Sequence, residues 1–233
     1  MAIRLLSTRS APTPGVKMLV YGQAGSGKTW LIRTLPDPVV LSAEGGLLCL
    51  QDADIPYIEI GDVATLREAY LWLVGSEEAR GFQTVVLDSI SEIAEVVLSA
   101  EKRATKDPRQ AYGAMQDQLA ELIRAFRDLP GRHVYMSAKL DKLQDETGRV
   151  LYSPSMPGSK AGQQLPHFFD EVLALIVERG QDGCIHRALM CHSDGLWQAK
   201  DRSGRLDQWE APDLGAIIKK IQGGTQWDGK NER

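Results

Sequence analysis

Short segments of consecutive apolar residues alternate along the chain with longer segments in which apolar residues recur at helical spacing. The apolar segments predict buried strands at 17–21, 39–42, 84–87 and 133–137, with a shorter strand at 58–60. Strands that are apolar throughout are buried on both faces, and the helices between them supply the cover. The alternation therefore predicts an α/β fold with a mainly parallel, twisted sheet and helices on both of its faces.

The remaining regular elements follow from spacing and turn residues. Helical spacing predicts helices at 28–35, 63–74, 90–104, 111–129 and 211–221. Towards the C-terminus, 168–177 and 184–192 predict two antiparallel strands joined by a turn at 180–183. We expect these strands to extend the parallel sheet.

Two segments fit neither pattern. A polar break at 103–109 contains a proline and separates two predicted helices, and 140–166 is rich in Gly, Pro, Ser and Gln. A connection as long as 140–166 is usually functional or disordered. We therefore expect an N-terminal arm at 1–16, one domain at 17–222 and a flexible tail at 223–233.

Composition, charge and cysteine content narrow the class of protein. Hydrophobic residues make up 43% of the 233 residues and charged residues 25%, as in ordinary globular proteins. A net charge of −4 argues against a protein coated in positive charge but permits a local basic groove. Three cysteines form no even-numbered disulfide framework, and we find neither a long apolar span nor a signal-peptide pattern. We expect a cytoplasmic protein.

One motif carries specific chemistry. The segment after the first strand matches G-x-x-x-x-G-K-[ST] in full: Gly22, Gln23, Ala24, Gly25, Ser26, Gly27, Lys28 and Thr29. Its glycines let the backbone N–H groups point at phosphate oxygens. Lys28 is expected to reach the β- and γ-phosphates and the Thr29 hydroxyl to ligate Mg²⁺, so the sequence predicts binding of ATP with Mg²⁺.

Two carboxylates at strand ends are candidates for the remaining chemistry. Asp88 follows 84–87, which we expect to lie beside the first strand, and it would hold the metal, through a water molecule. Alternatively, or in addition, Asp88 caps the helix that follows. Glu44 lies just beyond 39–42, where it could polarise the attacking water or remain a solvated loop residue.

These strand ends resemble those of a known family. Residues 39–45 (VVLSAEG) and 85–90 (VVLDSI) resemble the strands that carry the catalytic glutamate and the metal-supporting aspartate of RecA-type recombinases. The segments 103–109 and 140–166 fall where the DNA-binding loops of that family lie. The resemblance implies a RecA-like P-loop ATPase core that assembles on single-stranded DNA as a ring or filament.

The C-terminal part resembles a narrower group. Residues 169–172 (FDEV) and 198–206 (QAKDRSGRL) resemble phage-encoded compact RecA-core ATPases, which include single-strand annealing proteins and phage AAA-type nucleotide-binding proteins. This resemblance implies recombination in a host cytoplasm and a single-strand-binding protein as a further partner. In contrast to RecA, which has Asn-Gln at the corresponding position, the strand at 133–137 leads into Ser137, Ala138 and Lys139.

Lys200 and Arg202 form a cationic pair two residues apart, which on a strand places them on one face. The RecA resemblance implies that such a pair enters the nucleotide site of a neighbouring subunit and stabilises charge there. The alternative is a pair of solvated surface cations.

Candidate DNA-binding cations lie in the segments 103–109 and 140–166, and Tyr152 is a possible stacking residue. They are Arg103, Lys106, Arg109, Lys142, Arg149 and Lys160. A solvated charged loop would have a similar composition, so the assignment depends on the order of elements shared with RecA.

Three other features are expected to carry no site. On a strand Cys184, His186 and His192 share one face and Cys191 takes the other, so no tetrahedral spacing of the usual kind results. Residues 137–141 lack the asparagine with which GTPases read guanine. The tryptophans are scattered, and most are expected to pack against other residues.

The function predicted from the sequence is a DNA-stimulated ATPase that promotes annealing or recombination of single strands. Two alternatives stay open at this point. One is a motor or loader ATPase of phage replication or packaging, and the other is a nucleotide-switched DNA-binding module with negligible hydrolysis.

Overall fold

The computed structural model describes residues 15–144, 147–181 and 183–223. Most of the expected N-terminal arm and almost all of the expected tail therefore lie outside the described residues. The strands are β1 (Lys17–Gly22), β2 (Pro38–Ser42), β3 (Tyr57–Glu59), β4 (Thr84–Asp88), β5 (His133–Gln144), β6 (Val150–Ser155), β7 (Glu171–Arg179), β8 (Ile185–Met190), β9 (Lys200–Asp201) and β10 (Trp209–Glu210).

The described helices comprise α1 (Val63–Gly75), α2 (Ile90–Ala104), α3 (Pro108–Arg127), α4 (Ser159–Gln164) and α5 (Leu214–Gln222). Short 3-10 helices occupy Trp30–Thr34, Leu47–Ala53, Glu78–Gly81 and Leu165–Phe168. Within the described part of the chain, no helix combines the length and apolar character that a membrane crossing requires.

A single sheet organises the molecule, in the order β10-β8-β7-β1-β5-β4-β2-β3. The pairs from β7 through β1, β5, β4 and β2 to β3 are parallel, whereas β8 and β10 are antiparallel additions at one edge. Strand β6 pairs antiparallel with β5, and β9 pairs antiparallel with β7. The expected α/β fold with a mainly parallel sheet and antiparallel strands near the C-terminus is confirmed.

Alternation along the central strands divides the core between the two faces of the sheet. In β1, Leu19 and Tyr21 join one buried cluster, and Met18 and Val20 join the other. Helices α1, α2 and α3 cover the first face, and α5 with Trp30–Thr34 covers the second. The fold therefore holds β1 rigidly from both sides and presents its carboxyl end at one edge of the sheet.

The helix expected at 28–35 was wrong in type and start, because a 3-10 helix of five residues begins only at Trp30. Gly25 and Gly27 adopt φ values of +75° and +107°, which keep the preceding loop out of a helical conformation. At the other end Leu35 is extended, with ψ 148°, as expected for a residue before proline. Too few residues remain between these limits for a longer helix.

The segment 140–166 was expected to lack regular structure, and this was wrong. Strand β5 continues to Gln144 and forms a hairpin with β6, in register from Lys139 opposite Ser155 to Gln144 opposite Val150. Helix α4 and a 3-10 helix follow. Pro154 lies within β6, which is tolerated because an edge strand leaves backbone N–H groups unpaired.

The polar break at 103–109 is also shorter than expected. Arg103 belongs to the last turn of α2 and Arg109 to the first turn of α3, so only 105–107 connect the two helices. Helix α3 can begin this early because Asp107 accepts a hydrogen bond from the Arg109 N–H and Pro108 occupies the first turn.

An acidic pair lies where β9 meets β7, since the buried Glu171 is opposite the half-buried Asp201. Glu171 is 1% exposed, and its Oε2 has no hydrogen-bond partner among the described residues. Burial, helped by the neighbouring Asp201, raises the pKa of Glu171 from 4.5 to about 9. Glu171 is therefore protonated at neutral pH.

We expect the Glu171→Gln variant to lose part of the pH dependence of stability. Between pH 4.5 and about 9 the folded chain keeps a proton on Glu171 that the unfolded chain releases, so folding stability falls as pH rises through this interval. A neutral glutamine removes this loss, and its melting temperature should exceed that of the native chain at pH 8 but differ less at pH 5. Thermal unfolding at both pH values is the measurement, with Glu178→Gln, an exposed carboxylate on the same strand, as control. An unchanged pH dependence in the Glu171 variant would contradict this assignment.

Candidate nucleotide-binding site

The phosphate loop leaves the carboxyl end of β1 and folds back over it. Ser26 N–H donates to the Gln23 carbonyl at 3.2 Å, which closes the turn. A Cβ added at Gly22 would lie 2.7 Å from the Leu175 carbonyl oxygen, so glycine is required there. The loop thus presents a cradle of backbone N–H groups to a bound anion.

Lys28 spans the loop. Its Nζ donates to the carbonyl oxygens of Gly22 and Gln23, both at 3.0 Å. Burial lowers the pKa of the Lys28 ammonium, and Glu44 and Asp88 partly oppose this change. The ammonium is therefore held over the cradle, where a phosphate oxygen would be a stronger partner than two carbonyls.

Asp88 and Thr29 meet as expected, although β4 does not lie beside β1. Strand β5 pairs with both, so the expectation that the Asp88 strand is adjacent to the first strand was wrong. Thr29 Oγ1 nevertheless donates to Asp88 Oδ2 at 2.8 Å, and Ser137 Oγ from β5 donates to Asp88 Oδ1. The loop reaches across β5 to bring the hydroxyl to the carboxylate.

The oxygen atoms of Thr29 and Asp88 are suitable ligands for Mg²⁺. Burial raises the pKa of Asp88, while the hydrogen bonds from Ser137 and Thr29 lower it. A hydroxyl and a buried carboxylate are hard oxygen ligands, and Mg²⁺ usually takes one or two carboxylates together with phosphates and water. Thr29 and Asp88 would hold the ion. Among the described residues there is no group of three or more His, Cys, Asp or Glu side chains that could hold a metal ion.

Glu44 lies at the same carboxyl ends of the parallel strands, just after β2. Ser89 Oγ donates to Glu44 Oε1 at 2.5 Å, and Lys139 Nζ lies 3.9 Å from the same oxygen. Lys139 also forms an ion pair with Glu92 at 2.5 Å. Ser89 therefore fixes one oxygen of Glu44, which lies close enough to Lys28 and Asp88 to raise the pKa of both.

The structure adds side chains that sequence reasoning did not assign to the site. Ser137 lies in the buried part of β5 and Lys139 directly after it, and their place at the end of the predicted apolar strand was the available signal. Arg187, from β8, donates through Nε to the Ser26 carbonyl at 3.0 Å. Its contact depends on a distant strand, so no local pattern could have indicated it.

Lys200 and Arg202 lie near the amino ends of the parallel strands, away from the phosphate loop. Lys200 Nζ donates to the carbonyls of Pro166 and Phe169 at 2.8 and 2.5 Å, and Arg202 pairs with Asp170 at 2.8 Å. Their strand meets β7 level with the start of β1, whereas the phosphate loop follows its end. They do not contribute to the site of their own subunit, and a role in a neighbouring subunit stays a prediction.

Comparison with known proteins gives a family and a distant structural likeness. A family model described as "AAA domain" matches residues 14–203. The crystal structure of KaiC-like protein PH0186 from Pyrococcus horikoshii OT3 is 14% identical with a TM-score of 0.43, over 76% of this chain and 78% of that chain. No curated protein matches. Because the family model spans most of the chain and includes the phosphate loop, Glu44 and Asp88, the chain belongs to the AAA domain family and has the fold and nucleotide site of a P-loop ATPase.

Proposed function

We propose that this protein hydrolyses ATP while bound to single-stranded DNA and promotes the annealing or recombination of complementary strands. The observation that carries the DNA part is the meeting of the end of α2 and the turn before α4 at one aromatic side chain, Tyr112. The ATPase part follows from the site described above.

The hydrolytic chemistry is assigned to four side chains and the loop backbone. The loop N–H groups and Lys28 bind the phosphates and offset the charge that develops on their oxygens. Glu44 accepts a proton from the attacking water. Thr29 and Asp88 would hold Mg²⁺, which would supply Lewis-acid catalysis.

Tyr112 joins segments that are distant in sequence. Lys102 Nζ, in the last turn of α2, lies 5.4 Å from the centre of the Tyr112 ring. A Cβ at Gly158 would be 3.4 Å from Tyr112 Cδ1, so the turn before α4 packs on the same ring. Lys160 follows two residues later. The end of α2, through Lys102, and the turn before α4 therefore meet at one aromatic ring that is 36% exposed.

An exposed aromatic ring among cations has the chemistry that single strands require, because bases stack on the ring and phosphates bind the cations. Tyr152, the stacking candidate from the sequence, is already occupied, since its ring stacks on Trp197 with centroids 4.3 Å apart. Arg149 in the hairpin donates to the Gly195 carbonyl at 2.7 Å. Tyr112 therefore replaces Tyr152 as the proposed base platform.

The proposed DNA surface is connected to the nucleotide site through β5. This strand carries Ser137 and Lys139 at the site and then continues into the hairpin, whose Ser155 carbonyl accepts a hydrogen bond from Ser91 Oγ in α2 at 2.7 Å. Tyr21, the residue before the phosphate loop, donates to the Tyr152 carbonyl at 3.1 Å. These contacts support stimulation of hydrolysis by DNA.

The test is a triple variant, Lys106→Ala/Arg109→Ala/Lys160→Ala. We expect single-strand affinity to fall and the salt dependence of binding to weaken by about two in slope, since each phosphate contact contributes about 0.7. ATP affinity should stay unchanged. Fluorescence anisotropy with a labelled oligonucleotide at several salt concentrations measures the slope.

A charge-matched control removes three exposed cations elsewhere, Arg67→Ala/Arg179→Ala/Lys219→Ala. Equal losses in both triple variants would mean that only net charge matters, and an unchanged affinity in the first would overturn the DNA assignment. ATPase rates with and without single strands, beside an annealing assay, distinguish the alternatives. Translocation without annealing would favour a motor, and DNA binding without turnover would favour a switch module. Assembly into a ring or filament belongs to the same proposal.

A further inference from the structure

A cavity of about 450 Å³ opens beside the phosphate loop. The residues that form it come from the loop and the segment after it, from β7 and β8, and from the approach to α5. Among them are Gly27, Trp30, Leu175, Ile185, Arg187 and Pro212. Volumes of this size and mainly apolar linings are typical of small-molecule sites.

The strand order fixes which end of a nucleotide this cavity would receive. Asp88 on β4 and Glu44 after β2 lie on one side of β1, and β7 and β8 lie on the other. Hydrolysis requires the terminal phosphate beside Glu44. The remainder of the nucleotide must then leave the loop towards β7 and β8, which is where the cavity begins at Gly27.

The wall of the cavity offers a stacking surface. Trp30 follows Thr29 directly and is 46% exposed. Arg33 lies 6.0 Å from the centre of the indole and is itself fixed by two hydrogen bonds to Asp52, at 2.7 and 2.8 Å. The indole is thus supported in place while much of its surface faces solvent.

Among the described residues that line the cavity none carries a carboxylate, the side chain that accepts two N–H donors of the guanine edge at once. Stacking on an aromatic ring is tolerant of base identity because every base has a π-face.

We propose that this cavity binds the base and ribose of the nucleotide, that the Trp30 indole stacks on the base, and that ATP and GTP bind with similar affinity. The inference rests on the proposed nucleotide binding at the phosphate loop and extends it to the class of base accepted. Arg187, fixed to the Ser26 carbonyl, forms the border between the phosphate loop and the cavity.

Calorimetric titration of the native chain and of Trp30→Ala with ATP, GTP and inorganic tripolyphosphate, each with Mg²⁺, tests the proposal. Tripolyphosphate has the phosphates without base or ribose. We expect the variant to bind ATP and GTP about tenfold more weakly, the scale of one stacked base, and tripolyphosphate as well as the native chain does. Trp30→Phe, which keeps a stacking ring, should recover most of the loss.

Trp209→Ala serves as the matched control, because Trp209 is also 46% exposed but lies on β10. Equal weakening of ATP and tripolyphosphate by Trp30→Ala would show that Trp30 supports the loop and would overturn the proposal, as would unchanged ATP affinity or a strong preference for ATP over GTP. If the native chain bound tripolyphosphate but lost nothing on the Trp30 change, nucleotide binding at the loop would stand without this cavity. If it bound neither ligand, the proposed function itself would fail.

Discussion

Replacing Glu44 by glutamine is expected to lower ATP turnover by about 10²- to 10⁴-fold, the range that a positioned general base contributes. Glutamine has nearly the same shape and can still accept the hydrogen bond that Ser89 Oγ donates to Glu44 Oε1. An amide cannot take a proton from water at neutral pH. The variant should therefore bind ATP normally and fail at the chemical step.

The best control is a second carboxylate in nearly the same setting. Glu92 also lies near Lys139, and the side chains of Glu44 and Glu92 are each 34% exposed. Glu92 belongs to the first turn of α2 rather than to the end of β2. We therefore expect Glu92→Gln to keep most of the turnover, although it removes the closer ion pair of Lys139.

Steady-state phosphate release, combined with ATP titration of each variant, separates chemistry from binding. A large loss in Glu92→Gln with little change in Glu44→Gln would assign the base to Glu92. Equal small losses in both would mean that neither carboxylate activates water and that the loop and Lys28 account for the rate.

Much of the fold could be predicted because local sequence patterns indicate its strands and helices. The buried strands β1, β2 and β4 each contain a run of consecutive apolar residues, and helix α2 begins and ends where its spacing indicated, at Ile90 and Ala104. The phosphate loop needs a glycine with positive φ at Gly27 and a lysine directly after it, which makes it recognisable from sequence alone.

The errors arose where an element depends on a partner far away in the chain. Strand β5 continues to Gln144 only because β6 pairs with it, and its polar residues gave no strand signal. The position of β5 between β1 and β4 is likewise a matter of sheet order, which no segment of the sequence encodes by itself. The contact between Arg187 and Ser26 spans 161 residues and follows from that order.

The candidate site divides in the same way. Lys28, Thr29, Glu44 and Asp88 follow strand ends, and parallel strands bring their carboxyl ends to one edge of a sheet. Ser137 and Trp30 became site residues only when their neighbours were known. Most of the tryptophans were expected to pack against other residues, and Trp30 is partly exposed beside the loop.

Removing the Lys28 ammonium is the second change with a large expected effect. We expect Lys28→Ala to lower ATP turnover by at least about 10²-fold, the scale for loss of one preorganised group that stabilises developing charge. Unlike Glu44→Gln, it should also weaken the binding of ATP and of tripolyphosphate, because Lys28 is expected to contact the phosphates before and during the reaction.

Folding should not explain this loss. The Nζ of Lys28 donates to two loop carbonyls, and burial lowers the pKa of the ammonium, so the folded chain holds this charge at a cost. We therefore expect the melting temperature of Lys28→Ala to equal or exceed that of the native chain in the absence of nucleotide.

Lys219→Ala, which removes an exposed lysine from α5, is the matched control and should keep native turnover and affinity. Thermal unfolding with and without ATP completes the measurement, since ligand that binds only the folded chain raises its melting temperature. The native chain and Lys219→Ala should show this rise and Lys28→Ala should show a smaller one. If Lys28→Ala were stabilised by ATP as strongly as the native chain, the ammonium would not be bound to the phosphates, and the loop N–H groups alone would have to account for nucleotide binding.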